Sequence, residues 1–171
     1  AVALVLSAIL LASFAMSVSW AAHWPSDAFY RLQSRAWELL LGAVLVFIPV
    51  VGSARIRESL AVMGVIAILF AAITYTPDTA FPGFAAILPC GGTALIIYAT
   101  SRARTDATPL AVARVLMTKP FVATGLISYS LYLWHWPLLA FTAYAALAPV
   151  PVWHRLMIVA LSVVLAVLSW R

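Results

Sequence analysis

Of the chain's 171 residues, 65% are apolar and 9% charged, with a formal net charge of +5. Soluble domains hold about 45–50% apolar and about 25% charged residues, so a water-soluble fold of this size could not bury so much apolar side chain. The ten Lys and Arg are scattered among short connections instead of forming a basic face, which argues against nucleic-acid binding; the single Cys90 and the lack of a metal-spaced Cys/His cluster argue against disulfides, redox chemistry and bound metal.

Uncharged apolar runs recur near 1–20, 37–53, 60–76, 84–100, 121–142 and 156–170. About 18–20 residues carry a helix across a hydrocarbon core of about 30 Å. Alternating strands of the outer-membrane barrel type are absent, so the expected fold is all-α, a polytopic bundle of six transmembrane helices forming one domain over 1–171, with membrane lipid as its solvent. The opening AVALVLSAIL has no initiator Met and no basic flank, and the last run stops at Trp170-Arg171, so both ends read as cuts through a longer protein.

Short cytoplasmic loops retain Lys and Arg. Connections after the first, third and fifth runs hold Arg31, Arg35 and Arg155; those after the second, fourth and sixth hold Arg55, Arg57, Arg102, Arg104, Arg114, Lys119 and Arg171. That split of three against seven places the second set inside and the HWPSDAFYRLQSR connection outside. In the 101–120 connection, residues 109–117 suit a short helix at the inner surface, although a solvated positive-inside loop is the simpler account of its charges. Pro77, Pro82 and Gly83 mark one external turn, and Pro149 with Pro151 marks the next.

Ionisable groups in spanning helices are costly and so mark candidate sites. In the segment leading into the second run, a continuous helix would put Arg31, Arg35, Glu38 and Gly42 on one face, with Arg35 placed to neutralise Glu38. The alternative is an interfacial anchor in which Tyr30 and Trp37 form an aromatic belt. In the fifth run, Ser128, Tyr132 and His135 recur as a polar stripe on an apolar helix. Pro137 there removes the donor that would reach the Leu133 carbonyl, which predicts a kink beside an imidazole able to act as acid, base or donor, or to lock packing. Counting about 1.5 Å per residue from Lys119 lifts His135 roughly 24 Å towards the external leaflet, the side from which Arg35 and Glu38 enter. Both motifs are therefore expected to line one cavity opening outward.

The segments FYRLQSRAWELLLGAVL (29–45) and ISYSLYLWHWPLL (127–139) resemble the C-terminal half of the acyltransferase family 3 membrane proteins, the polysaccharide and O-antigen O-acetyltransferase type. Phe81-Pro-Gly-Phe84 and the terminal LSVVLAVLSWR also resemble that family, although the Glu-x-Pro segment that usually follows the last helix is missing. The resemblance implies a domain of about ten helices, of which these are the fifth to tenth. It also implies a bacterial inner-membrane O-acyltransferase moving an acyl group, usually acetyl from acetyl-CoA or another acyl-CoA, to a hydroxyl of a cell-surface carbohydrate. The family's proposed catalytic His lies in its first helices, which have no counterpart here. Those N-terminal helices become an expected partner, and Arg35, Glu38 and His135 take supporting catalytic roles. Tyr30, Trp37, Tyr132 and Trp136 are the candidate substrate-binding residues, Trp37 and Trp136 either by sugar stacking or by packing. The residues alone equally allow a transporter or flippase-like module for a glycan or acyl carrier, or an assembly subunit.

Overall fold

The computed structural model describes residues 1–76, 79–101, 109–145 and 151–170. It is all-α, with no strand among the described residues. The helices are α1 (Val2–His23), α2 (Pro25–Tyr30), α3 (Leu32–Leu45), α4 (Ala54–Thr74), α5 (Ile87–Thr100, entered through a 3-10 turn at Phe84–Ala86), α6 (Ala111–Leu116), α7 (Lys119–Ala145) and α8 (Val152–Trp170).

Each of the six expected apolar runs overlaps a helix. By length and composition, α1, α4 and α8 can cross a membrane. This is a membrane protein. The 14 residues of α3 rise only about 21 Å, short of the hydrocarbon core. The expected 37–53 segment is therefore corrected: helix begins at Leu32, ends at Leu45 and gives way to a non-helical stretch carrying Pro49 and Gly52, which has a φ of 99°. Tyr98 on α5 clasps that stretch, accepting from the Val51 amide and donating to the Pro49 carbonyl, each at 3.1 Å.

Two compact units make up the chain, Ala1–Ala113 and Arg114–Arg171. In the first, α1 packs on α3, α3 on α5 and α4 on α5. Small residues set these approaches, as expected where lipid tails compete for every apolar surface. The α1 stripe of Ser13, Ser17 and Ala21 is buried. Gly64 and Gly92 face one another across α4 and α5, and a Cβ on Gly92 would lie 2.7 Å from the Gly64 carbonyl oxygen. The turn at Gly83, with a φ of 37°, rests on α1, where an added Cβ would meet Ala21 at 3.0 Å. In the second unit, α7 packs on α8 around buried Ser162 and Ala166, with the Trp134 indole donating to Ser169 Oγ at 3.1 Å.

A solvated loop does not describe residues 110–116. The Glu58 carboxylate accepts from the Ala111 and Val112 amides at 2.8 and 3.2 Å, satisfying donors that a helix start leaves open. Leu110 and Ala113 are buried against Ala61 and Ala99. Residues 102–108, which hold Arg102 and Arg104, lie outside the described set, as do Pro77, Pro149 and Arg171.

Gly92→Ala should lower stability in detergent by roughly 1–3 kcal/mol through overpacking, whereas Gly91→Ala, which meets open space, should not. Equal thermal unfolding of the two variants would contradict the glycine crossing. Glu58→Ala should release α6 and speed tryptic cleavage at Arg114; unchanged cleavage would show that Glu58 does not hold it.

Candidate functional site

The segment before α3 breaks where the sequence suggests one continuous helix. Arg31 is extended, with φ −86° and ψ 134°, and Ser34 Oγ lies 2.7 Å from the Ala28 carbonyl and 2.9 Å from that of Arg31. One buried hydroxyl thus meets carbonyls on both sides of the junction, that of Ala28 in α2 and that of Arg31 at the start of α3. The break removes Arg31 from the expected face: it pairs instead with Asp27 at 3.1 Å and lies over the Trp20 ring.

Beyond the break, Arg35 Nη2 donates to Glu38 Oε2 at 3.2 Å, the i,i+3 pair expected from the spacing. The Arg35 guanidinium also lies 5.1 Å from the Phe29 ring centroid. Glu38 is the more buried partner, and its Oε1 is buried with no hydrogen-bond partner among the described residues. A carboxylate oxygen left so is an acceptor held ready for a donor. Glu38 and Gly42 line one cavity of about 210 Å³ with Cys90 and Thr93 of α5, so these two share a face as the sequence suggests.

What holds this helix face is a residue the sequence reading did not single out. Ser13 of α1 donates to the Gln33 carbonyl at 2.6 Å and accepts from the Trp37 amide at 2.9 Å. Those are the two groups an uninterrupted α-helix pairs with each other. The Ser13 hydroxyl is thereby stitched into the α3 ladder one residue before Glu38. The only sequence signal was the small-residue spacing of Ser13, Ser17 and Ala21.

The candidate aromatic residues divide. Trp37 is 4% exposed and meets Phe14 edge-on at 5.0 Å, so it packs inside the unit and is not part of an interfacial belt. Its Nε1 and Ser17 Oγ are buried without partners among the described residues. Tyr30, Tyr132 and Trp136 are exposed.

In the second unit the expected stripe is present. Ser128, Tyr132 and His135 of α7 line one cavity of about 300 Å³ with Ser162 of α8. His135 Nδ1 lies 2.9 Å from the Leu131 carbonyl, one turn back, and its ring is 5.8 Å from that of Tyr132. The helix runs through Pro137, and His135 uses Leu131, not the freed Leu133 carbonyl. Arg35 and Glu38 belong to one unit and His135 to the other, so each motif is described in the cavity of its own unit. Among the described residues no cluster of His, Cys, Asp or Glu could hold a metal.

The chain is 32% identical over 136 residues to a protein named as the membrane-bound transacylase BcsY of Komagataeibacter xylinus, which covers 78% of this chain and 33% of that protein. It is 30% identical over 158 residues to the peptidoglycan O-acetyltransferase OatA of Listeria monocytogenes, covering 86% of this chain and 25% of that one. The chain is related to the acyltransferase family 3 membrane proteins. It spans about a third and a quarter of the two relatives' lengths. No family profile and no solved structure matches it.

Removing Arg35 strands a partly buried carboxylate, so Arg35→Ala should cost roughly 1–3 kcal/mol, and the Arg35→Ala/Glu38→Ala pair should cost less than the two single changes summed. Additive losses in thermal unfolding would show that the pair does not interact.

Proposed function

We propose that this chain supplies the C-terminal part of a bacterial inner-membrane O-acyltransferase, which moves an acyl group, typically acetyl, from acyl-CoA to a hydroxyl of a cell-envelope carbohydrate. The observation that carries the reading is the similarity to two proteins named as a membrane-bound transacylase and an O-acetyltransferase, coinciding with an Arg–Glu pair whose carboxylate lines a cavity.

Acyl transfer to a hydroxyl needs a base near the acceptor, and hydrogen-bonding or positive groups near the oxygen that gains charge. Arg35 supplies fixed positive charge, oriented by Glu38, and the unpaired Glu38 Oε1 accepts from the substrate or from another helix of the intact protein. His135 and Tyr132 form a polar wall, while the exposed rings of Tyr30 and Trp136 are available to stack on sugar. Trp37 supports the site by packing. The family's proposed catalytic His comes from N-terminal helices that act with this chain. Tyr30, Arg35 and Glu38 face the periplasmic side, in keeping with the distribution of Lys and Arg.

Glu38→Gln in the intact protein should cut glycan acetylation from labelled acetyl-CoA by about tenfold or more, a transition-state loss of about 1.4 kcal/mol, with membrane insertion retained. Unchanged acetylation would remove Glu38 from the site. Transport of glycan without any acylation by the unsubstituted protein would replace the reading by a transporter.

A further inference from the structure

The cavity between α7 and α8 has a hydrogen-bond polarity that the identity of its residues does not reveal. A carbonyl oxygen can only accept, so the 2.9 Å contact between His135 Nδ1 and the Leu131 carbonyl requires hydrogen on Nδ1. In the neutral imidazole that leaves Nε2 as a bare lone pair, with no partner among the described residues. The two serine hydroxyls are committed in the same sense. Ser128 Oγ donates to the Gly125 carbonyl at 2.7 Å and Ser162 Oγ to the Ile158 carbonyl at 2.8 Å. Exposed Ser128 keeps only lone pairs for the cavity, while Ser162 is fully buried beneath it. Tyr132, the remaining polar lining residue, has the one hydroxyl hydrogen not spent on backbone, and the rest of the wall is Leu131, Leu139, Val159 and Val163.

Among the described residues no Lys or Arg lines this cavity. A mostly apolar wall with two reachable acceptors, His135 Nε2 and Ser128 Oγ, one hydroxyl and no positive charge among the described residues offers phosphate and carboxylate groups no counter-charge, and suits a neutral ligand that packs its carbon face there and brings hydrogens of its own. At about 300 Å³ the cavity stands at the lower end of small-molecule sites. We propose that the cavity is the subsite for the hydroxyl-bearing acceptor, that an uncharged polyol donates from its hydroxyls to His135 Nε2 and Ser128 Oγ, and that the phosphates of the acyl donor bind elsewhere. This rests on the acyltransferase reading for its biological meaning, while the polarity of the cavity stands on the hydrogen bonds alone.

The test uses the full chain in lipid nanodiscs, labelled with nitrogen-15 histidine, with the His135 signals assigned by their loss in His135→Gln. His135 should show a protonated Nδ1 and an unprotonated Nε2. Methyl glucoside should shift the Nε2 resonance, whereas the same sugar with every hydroxyl methylated, and coenzyme A, should leave it in place. A protonated Nε2 with a bare Nδ1, no response to methyl glucoside, or an equal response to the methylated sugar or coenzyme A would overturn the proposal. In the intact enzyme, His135→Ala should raise KM for the glycan acceptor about tenfold with KM for acetyl-CoA unchanged, and His135→Gln should recover part of that loss. A rise confined to the acetyl-CoA KM would assign the cavity to the donor instead. Acyl transfer that fails altogether while the nanodisc response persists would sink the enzymatic reading and leave the polyol site standing.

Discussion

The constraint on which the first unit depends is that a backbone group in hydrocarbon must find its partner within the protein. At α3 the Ser13 hydroxyl meets that demand for both the Gln33 carbonyl and the Trp37 amide. The same contact ties α1 to the helix that carries Arg35 and Glu38, so the rotation of that helix is set by hydrogen bonding as well as by packing. Ser34 does similar work one turn earlier, closing the break at Arg31. Buried Trp37 and half-buried Phe14 then meet in the seam between the two helices. Glu38 emerges from this anchored turn with one oxygen on Arg35 and the other without a partner among the described residues.

The second unit is simpler and differently biased. Two helices held by small buried residues leave a polar stripe facing a cavity, and most of its hydrogens are spent on the helix's own carbonyls. Such local bonds are an inexpensive way to keep Ser and His in an apolar helix, because each side chain satisfies itself one turn back. A consequence is that only lone pairs remain outward on those residues. The first unit offers a guanidinium beside a carboxylate, while the second offers the acceptors of His135 and Ser128.

Periodicity made much of this legible. The runs of apolar residues located the helices, the i,i+3 spacing gave the Arg35–Glu38 pair, and the spacing of Ser128, Tyr132 and His135 gave the lined face. The parts that were not legible depend on long-range partners. Nothing in the spacing of Ser13 says that it enters the ladder of a helix 20 residues away, and nothing near Ala111 says that its amide is held by Glu58. The extended Arg31 was hidden because the segment around it has good helix formers and no glycine or proline; its break is stabilised by Ser34. The expected helix over 37–53 ran too far because apolar residues continue past Leu45, although Pro49 and Gly52 stop the ladder.

The central claim is that these residues form part of an acyl-transfer site completed by further helices. It is tested most directly by following labelled acetyl from acetyl-CoA into envelope glycan. Membranes containing this chain alone are compared with membranes in which the N-terminal helices of a family member are co-expressed. The account predicts label in the glycan only from the combined membranes. No label from either, with both pieces inserted and associated, would contradict it.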